Sequence, residues 1–247
     1  MNRRPLVGGN WKMNLLREDA ERYCRALTAG LEGAAAEAVI FPSAPLIETV
    51  AAGLRGSPAA WGGQDLHSED AGAHTGDTSA ALLADFGCTW ALCGHSERRQ
   101  DHGETDDLVR AKVAAAGRHR LRPLLCIGET SDQRKAGSTL AVLDRQLSAG
   151  LADRPGDFAV AYEPIWAIGT GETATPEIAQ AAHEHIRETL ADLLGAEVAS
   201  SKRLLYGGSV NPDNASDLAA QPDVDGFLIG GASLDPERFL AIIRSCG

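Results

Sequence analysis

The chain has 247 residues, 44% of them apolar but only 5% aromatic, and a formal net charge of -11. That length suits one α/β barrel of about 250 residues or two small domains, and no stretch reads as a linker between halves. The acidic balance argues against nucleic acid and anionic membranes, because no clustered basic face offers itself to phosphate backbones; a small anionic substrate stays open, since a few donors in a cleft set the local field.

Arg3-Arg4 is followed by only Pro5-Leu6-Val7 before Gly8, too short for a signal core, and no later run approaches membrane-spanning length. Apolar, β-prone runs then recur at 5–9, 38–41, 59–62, 89–93, 123–126, 158–162, 203–206 and 226–229. Amphipathic stretches separate them. Leu140, Leu143, Leu147 and Leu151 keep helical spacing, as do Ile178, Ala182, Ile186 and Leu190. Thr175-Pro176, Asn211-Pro212 and Asp235-Pro236 each read as a capping side chain before a proline at the first helical position. Eight units in 247 residues give roughly 31 residues each, a strand plus its crossover helix. Alternation throughout predicts one parallel sheet wrapped by helices, and eight units favour closure into a single (β/α)8 TIM barrel over residues 1–247. An open doubly wound sheet would gather its functional residues at one switch point; here they follow many strands. The five cysteines, Cys24, Cys88, Cys93, Cys126 and Cys246, show no metal or redox spacing, which fits a reducing, cytoplasmic setting.

Chemistry clusters after the strands. Asn10, Lys12 and Asn14 follow the first; only four of the 23 basic residues are lysine, and a compact ammonium suits a phosphate or a developing enolate oxygen, although a solvated surface lysine reads the same way. After the fourth strand comes Gly94-His95-Ser96-Glu97-Arg98-Arg99, where a helix start at Ser96 would disfavour a charged imidazolium and keep His95 neutral. Glu163 sits at the C-terminal mouth of the sixth strand, and Pro164 fixes the exit direction. Trp166 and Ile168, tipped by Gly169-Thr170-Gly171, can swing as a lid that expels water; an ordinary loop with a buried tryptophan is the plainer reading. Gly207-Gly208-Ser209 and Gly230-Gly231 follow the last two strands, where barrels recurrently hold phosphate.

GNWKMN at 9–14, GHSERR at 94–99, CIGE at 126–129, YEPIWAIGTG at 162–171, YGGSV at 206–210 and GFLIGGASL at 226–234 resemble the triosephosphate isomerase family, in order and over nearly the whole chain. The resemblance implies a cytoplasmic isomerase of glycolysis and gluconeogenesis that interconverts dihydroxyacetone phosphate and D-glyceraldehyde 3-phosphate. By resemblance Glu163 moves the proton, His95 and Lys12 stabilise the enediolate, Asn10 assists, and Glu97 partners Lys12. Gly169, Ser209, Gly230 and Gly231 would give amides to the phosphate, together with Asn10 and Lys12. The lid would comprise Pro164, Ile165, Trp166, Ala167, Ile168, Gly169, Thr170, Gly171, Glu172, Thr173 and Ala174, with Glu129 anchoring Trp166. No cofactor and no metal is implied.

The resemblance also makes the loop 64–79, which opens at Gln64 and closes at Ser79, an arm that enters a second subunit, so a homodimer is expected. His74, Thr75, Gly76, Asp77, Arg98 and His102 are the expected interface positions. Here the chain departs from the family: His74 and His102 stand where relatives often have aromatics, Asp77 where Glu is usual, and Glu172 where Lys is common. We expect His74 and His102 of opposite subunits to lie close. The rival readings are an isomerase of a related tetrulose phosphate, an aldolase with Lys12 as Schiff-base nucleophile, and a binding protein that merely retains the barrel.

Overall fold

The computed structural model describes residues 3–153, 155–168 and 173–246. Eight parallel strands form a closed barrel in chain order: β1 (Leu6–Asn10), β2 (Glu37–Phe41), β3 (Ala60–Gly63), β4 (Trp90–Cys93), β5 (Arg122–Ile127), β6 (Ala159–Tyr162), β7 (Arg203–Tyr206) and β8 (Gly226–Ile229). All eight coincide with the predicted runs to within two residues. Leu6 opposes Glu37 on one side and Gly226 on the other, which closes the ring.

Strand alternation sorts two cores. Leu6, Val39, Phe41, Leu92, Leu124, Ala161, Leu205 and Leu228 point into the barrel, while Val7, Ile40, Val160, Leu204 and Phe227 pack outward beneath the helices. Small residues make room inside: a Cβ on Gly62 would lie 2.8 Å from Phe41 Cε1 and 2.4 Å from Trp90 O. At the N-terminal end the fully buried Trp90 is covered by the guanidinium of Arg122, 4.2 Å from its ring, and both Arg122 and Arg203 pair with Glu37. This closes the floor of the barrel and leaves the opposite rim for the loops.

The helix Pro176–Leu194 buries Ala182, Ile186 and Leu190 as the spacing predicts, and Thr175 caps it by accepting from Ile178 N–H. Burying each of the two large residues contributes roughly 1.5–3 kcal/mol. Asp235 caps Pro236–Arg244 in the same way. Two expectations need correction. Asn211-Pro212 does not open a helix: Asn211 Oδ1 accepts from the amides of Asp213 and Asn214, making a side-chain-closed turn, and the helix starts only at Ala215. Leu140 faces outward at 49% exposure, because the helix Thr139–Gly150 turns Leu143 and Leu147 to the core. No helix among the described residues is long and apolar enough to cross a membrane.

Candidate active site

Three strand ends build the centre of the rim. Asn10 ends β1, and its side-chain oxygen accepts the Lys12 amide at 3.0 Å. Lys12 takes a left-handed backbone, φ 52°, a conformation that costs a non-glycine residue about 1–3 kcal/mol and persists only where its surroundings enforce it. Gln64 helps to enforce it, donating from Nε2 to Lys12 O at 2.8 Å and to Phe41 O at 2.9 Å. The bend sends the lysine stem over Gly230, where an added Cβ would lie 3.3 Å from Lys12 Cε. The ammonium meets Glu97 Oε1 at 2.5 Å.

Beyond β4, Gly94 turns with φ 71°, in a space where a Cβ would clash with Val109. The turn sets His95 as the cap of the helix Ser96–Asp101. Its Nδ1 accepts the Glu97 amide at 3.2 Å, so the ring proton resides on Nε2, which lies 2.9 Å from Glu163 Oε1. Glu163 follows β6 and is almost fully buried; its other oxygen accepts the Ser96 amide at 2.9 Å. Burial opposes ionisation of this carboxyl, but His95 and the Ser96 amide outweigh it and hold the pKa below the usual glutamate value. For His95 burial pushes downward, and the Glu163 charge beside it more than offsets this, raising the pKa in the present arrangement. In this geometry Nδ1 accepts rather than donates, because a protonated Nδ1 would face the Glu97 N–H.

Behind Glu163, Pro164 leads into the short turn Ile165–Ala167. Trp166 Nε1 donates to Glu129 Oε1 at 2.8 Å, Tyr162 OH reaches the same oxygen at 3.2 Å, and Arg134 stacks on the indole at 3.8 Å. The anchor of the turn is therefore a fully buried carboxylate. Ile168 lines the pocket, Thr173 and Ala174 lead back towards the next helix, and Gly169, Thr170, Gly171 and Glu172 lie outside the described residues.

The resulting hollow of about 390 Å³ is lined by Asn10, Lys12, His95, Glu163, Ser209, Gly230 and Gly231. Glu97 borders it through its pair with Lys12. Among the described residues the amides of Ser209, Gly230 and Gly231 donate to no protein acceptor, so three N–H groups remain for an anion. Sequence reasoning missed Gln64, the Ser96 amide, and Arg238, whose side chain lines the same hollow with no ion pair among the described residues. Only the helix-start pattern around Ser96 carried a signal for any of them.

The expected interface residues lie elsewhere. Gly76, Asp77, Arg98 and His102 line a second hollow of about 440 Å³, while His74 and Thr75 stand on the exposed arm. Arg98 is engaged within its own chain, by Asp65 at 2.9 Å and Glu104 at 2.7 Å. Although this second hollow is the larger, the first holds the ionised carboxylate, the imidazole and the ammonium together.

Residues 5–246 match the family model described as triosephosphate isomerase. The triosephosphate isomerase of Xanthobacter flavus is 50% identical over 247 residues, covering 99% of this chain and 98% of its own. That of Chloroflexus aurantiacus is 49% identical, covering 97% and 98%. A crystal structure of triosephosphate isomerase from Bartonella henselae superposes with a TM-score of 0.91 at 41% identity and covers 98% of both chains. The chain belongs to the triosephosphate isomerase family.

Proposed function

We propose that this chain interconverts dihydroxyacetone phosphate and D-glyceraldehyde 3-phosphate by proton transfer through an enediolate, as a cytoplasmic homodimer whose 247 residues form one catalytic barrel. The observation that carries this reading is the 2.9 Å contact of Glu163 with the protonated Nε2 of His95, in a hollow that also holds Lys12 and three unengaged amides. Glu163 takes a proton from the carbon beside the carbonyl, the C–H pair becomes a C=C bond, and charge moves to oxygen. Lys12 and the His95 N–H stabilise that oxygen as charge develops, and His95 then passes its proton to it and recovers one from the neighbouring hydroxyl. Glu163 returns the first proton to the other carbon. Phosphate binding at Ser209, Gly230 and Gly231 drives closure of 164–174 over the site, which keeps water from the intermediate.

The relatives at 49–50% identity bear the triosephosphate isomerase name, which favours the three-carbon substrate over a tetrulose phosphate. Parallel assays of three- and four-carbon ketose phosphates, with Glu163→Gln as the inactive control, test the reading. Faster turnover of the four-carbon ketose, or undiminished turnover by the control, overturns it. Assembly is tested separately. If His74 and His102 of opposite subunits meet, protonating both weakens the dimer, so its dissociation constant at pH 5.5 exceeds that at pH 8, and the difference disappears in His74→Phe.

A further inference from the structure

The catalytic hollow holds less positive charge than a phosphate dianion calls for. Glu163 lies inside it and Glu97 at its border, while the Lys12 ammonium is already paired with Glu97. The chain as a whole carries a formal net charge of -11. One further cation lines the hollow: Arg238, on the helix Pro236–Arg244 that follows the last strand. Its backbone is fixed. The Arg238 amide donates to Asp235 Oδ1 at 3.1 Å, and its neighbours Phe239 and Leu240 are buried, with the Phe239 ring so close to β1 that a Cβ on Gly9 would lie 3.2 Å from it. The side chain, by contrast, is exposed and makes no ion pair among the described residues. Helix stability does not account for it, because a cation in the first turn faces the positive end of the helix dipole. Arg17, Arg25, Arg55 and Arg120 also lack an ion pair among the described residues, but none of them lines the hollow.

We propose, resting on the isomerase reading above for the identity of the substrate, that Arg238 is a specificity-determining residue of this site. Its guanidinium takes hold of the substrate's phosphate dianion on entry, alongside the amides of Ser209, Gly230 and Gly231. The amides are fixed dipoles that hold an anion once it is seated. A full charge acts farther out, over roughly the 8 Å screening length at physiological ionic strength. It therefore turns a hollow in which two carboxylates oppose one ammonium into one that draws anions in against the acidic surface. The planar fork of arginine also meets two phosphate oxygens at once, which a lysine cannot do. Because the guanidinium keeps its protons at every working pH, it takes no part in the proton transfer. A neutral sugar of the same carbon skeleton gains nothing from it, so Arg238 favours phosphorylated sugars over their uncharged counterparts.

Two measurements on the full chain test this. Calorimetric titration with inorganic phosphate reads the anion site without turnover, and steady-state isomerisation of dihydroxyacetone phosphate reads its use. Arg238→Gln is expected to weaken phosphate binding about tenfold and to lower kcat/KM about tenfold through KM, with kcat within about twofold, at an ionic strength of about 0.02 M. Both losses shrink at about 0.3 M, where screening shortens the reach of the charge. Arg238→Lys keeps the salt dependence and recovers part of the affinity. Arg55→Gln removes the same charge from the exposed turn ahead of β3, at the opposite rim of the barrel, and leaves both readouts unchanged. Wild-type phosphate affinity and kcat/KM in folded Arg238→Gln overturn the proposal, as does an equal fall in Arg55→Gln, which would assign the effect to net charge. Absence of turnover in the unmutated chain would instead refute the isomerase reading, and the phosphate titration would then decide alone whether Arg238 holds the anion.

Discussion

A methyl group at position 207 tests the placement of Glu163 without touching its chemistry. An added Cβ on Gly207 would lie 2.9 Å from Glu163 Cγ, against an ordinary carbon contact of about 3.5–4.0 Å, so the carboxylate stem must move by roughly 0.6–1.1 Å. The loop cannot give way instead, because Gly207 N–H is held by Tyr162 O at 2.7 Å and that same oxygen would sit 3.2 Å from the new methyl. Carried into the position the carboxylate takes on leaving His95, a misplacement near 1 Å costs about a hundredfold in rate, or ~2.7 kcal/mol of barrier. Gly207→Ala is therefore expected to lower kcat about a hundredfold in a coupled assay with dihydroxyacetone phosphate, while overpacking costs about 1–3 kcal/mol of stability. Gly117→Ala is the control: it lies in the helix Asp106–Arg118 with open space around its Cβ position, and it should leave kcat unchanged. A folded Gly207→Ala enzyme with kcat within about threefold of wild type would refute the claim that this residue fixes the base.

Lys112 is buried between Glu104 and Asp65, and Lys112→Met leaves the fully covered Glu104 with Arg98 alone. Removing one partner of such a cluster costs about 3–5 kcal/mol, so thermal unfolding should fall by about 6–20 °C with little change in KM. His183 is fully buried, and burial holds its pKa below the ordinary histidine value. The unfolded chain then binds the proton more readily than the folded one, so the stability linked to this residue is complete above about pH 6.5 and is lost as pH falls towards the folded value, at up to ~1.4 kcal/mol per unit. His95, raised by Glu163, contributes the opposite slope. The measurement is therefore the difference between wild type and His183→Asn in urea unfolding at pH 7.5 and 5.5; identical slopes would exclude the effect.

What could be read from the sequence followed the physics of local signals. Strand runs and the caps at Thr175 and Asp235 are written in adjacent residues, and they emerge in place. Asn211-Pro212 misled because the same side chain that caps a helix also closes a turn, and only the loop after β7 decides between them. Gln64 was invisible for a different reason: its two acceptors, Lys12 O and Phe41 O, lie 52 and 23 residues away, and nothing near Gln64 records them. The pairing of Lys112 with Asp65 likewise joins residues 47 apart, although Glu104, its other partner, stands only eight residues away. Glu163 and His95 were legible as strand-end residues, whereas their direct contact was not.

That contact bears on how phosphate binding and proton abstraction are linked. In the arrangement described, both carboxylate oxygens of Glu163 are occupied, one by His95 and one by the Ser96 amide. To reach a substrate carbon the carboxylate must leave them, giving up two charge-assisted bonds of about 1.5–3 kcal/mol each. It then keeps the burial that raises its basicity while losing the partners that depress its pKa, so the move creates the stronger base as well as placing it. The reacting carbons offer little binding of their own, and the energy must come from the unengaged amides at Ser209, Gly230 and Gly231 together with the Lys12 ammonium. A triose lacking phosphate should consequently lose kcat as well as affinity, and free phosphite or inorganic phosphate bound at those amides should restore part of the kcat. If the truncated sugar kept the full kcat and differed only in KM, Glu163 would have to leave His95 without help from the anion site, and the linkage drawn here would be wrong.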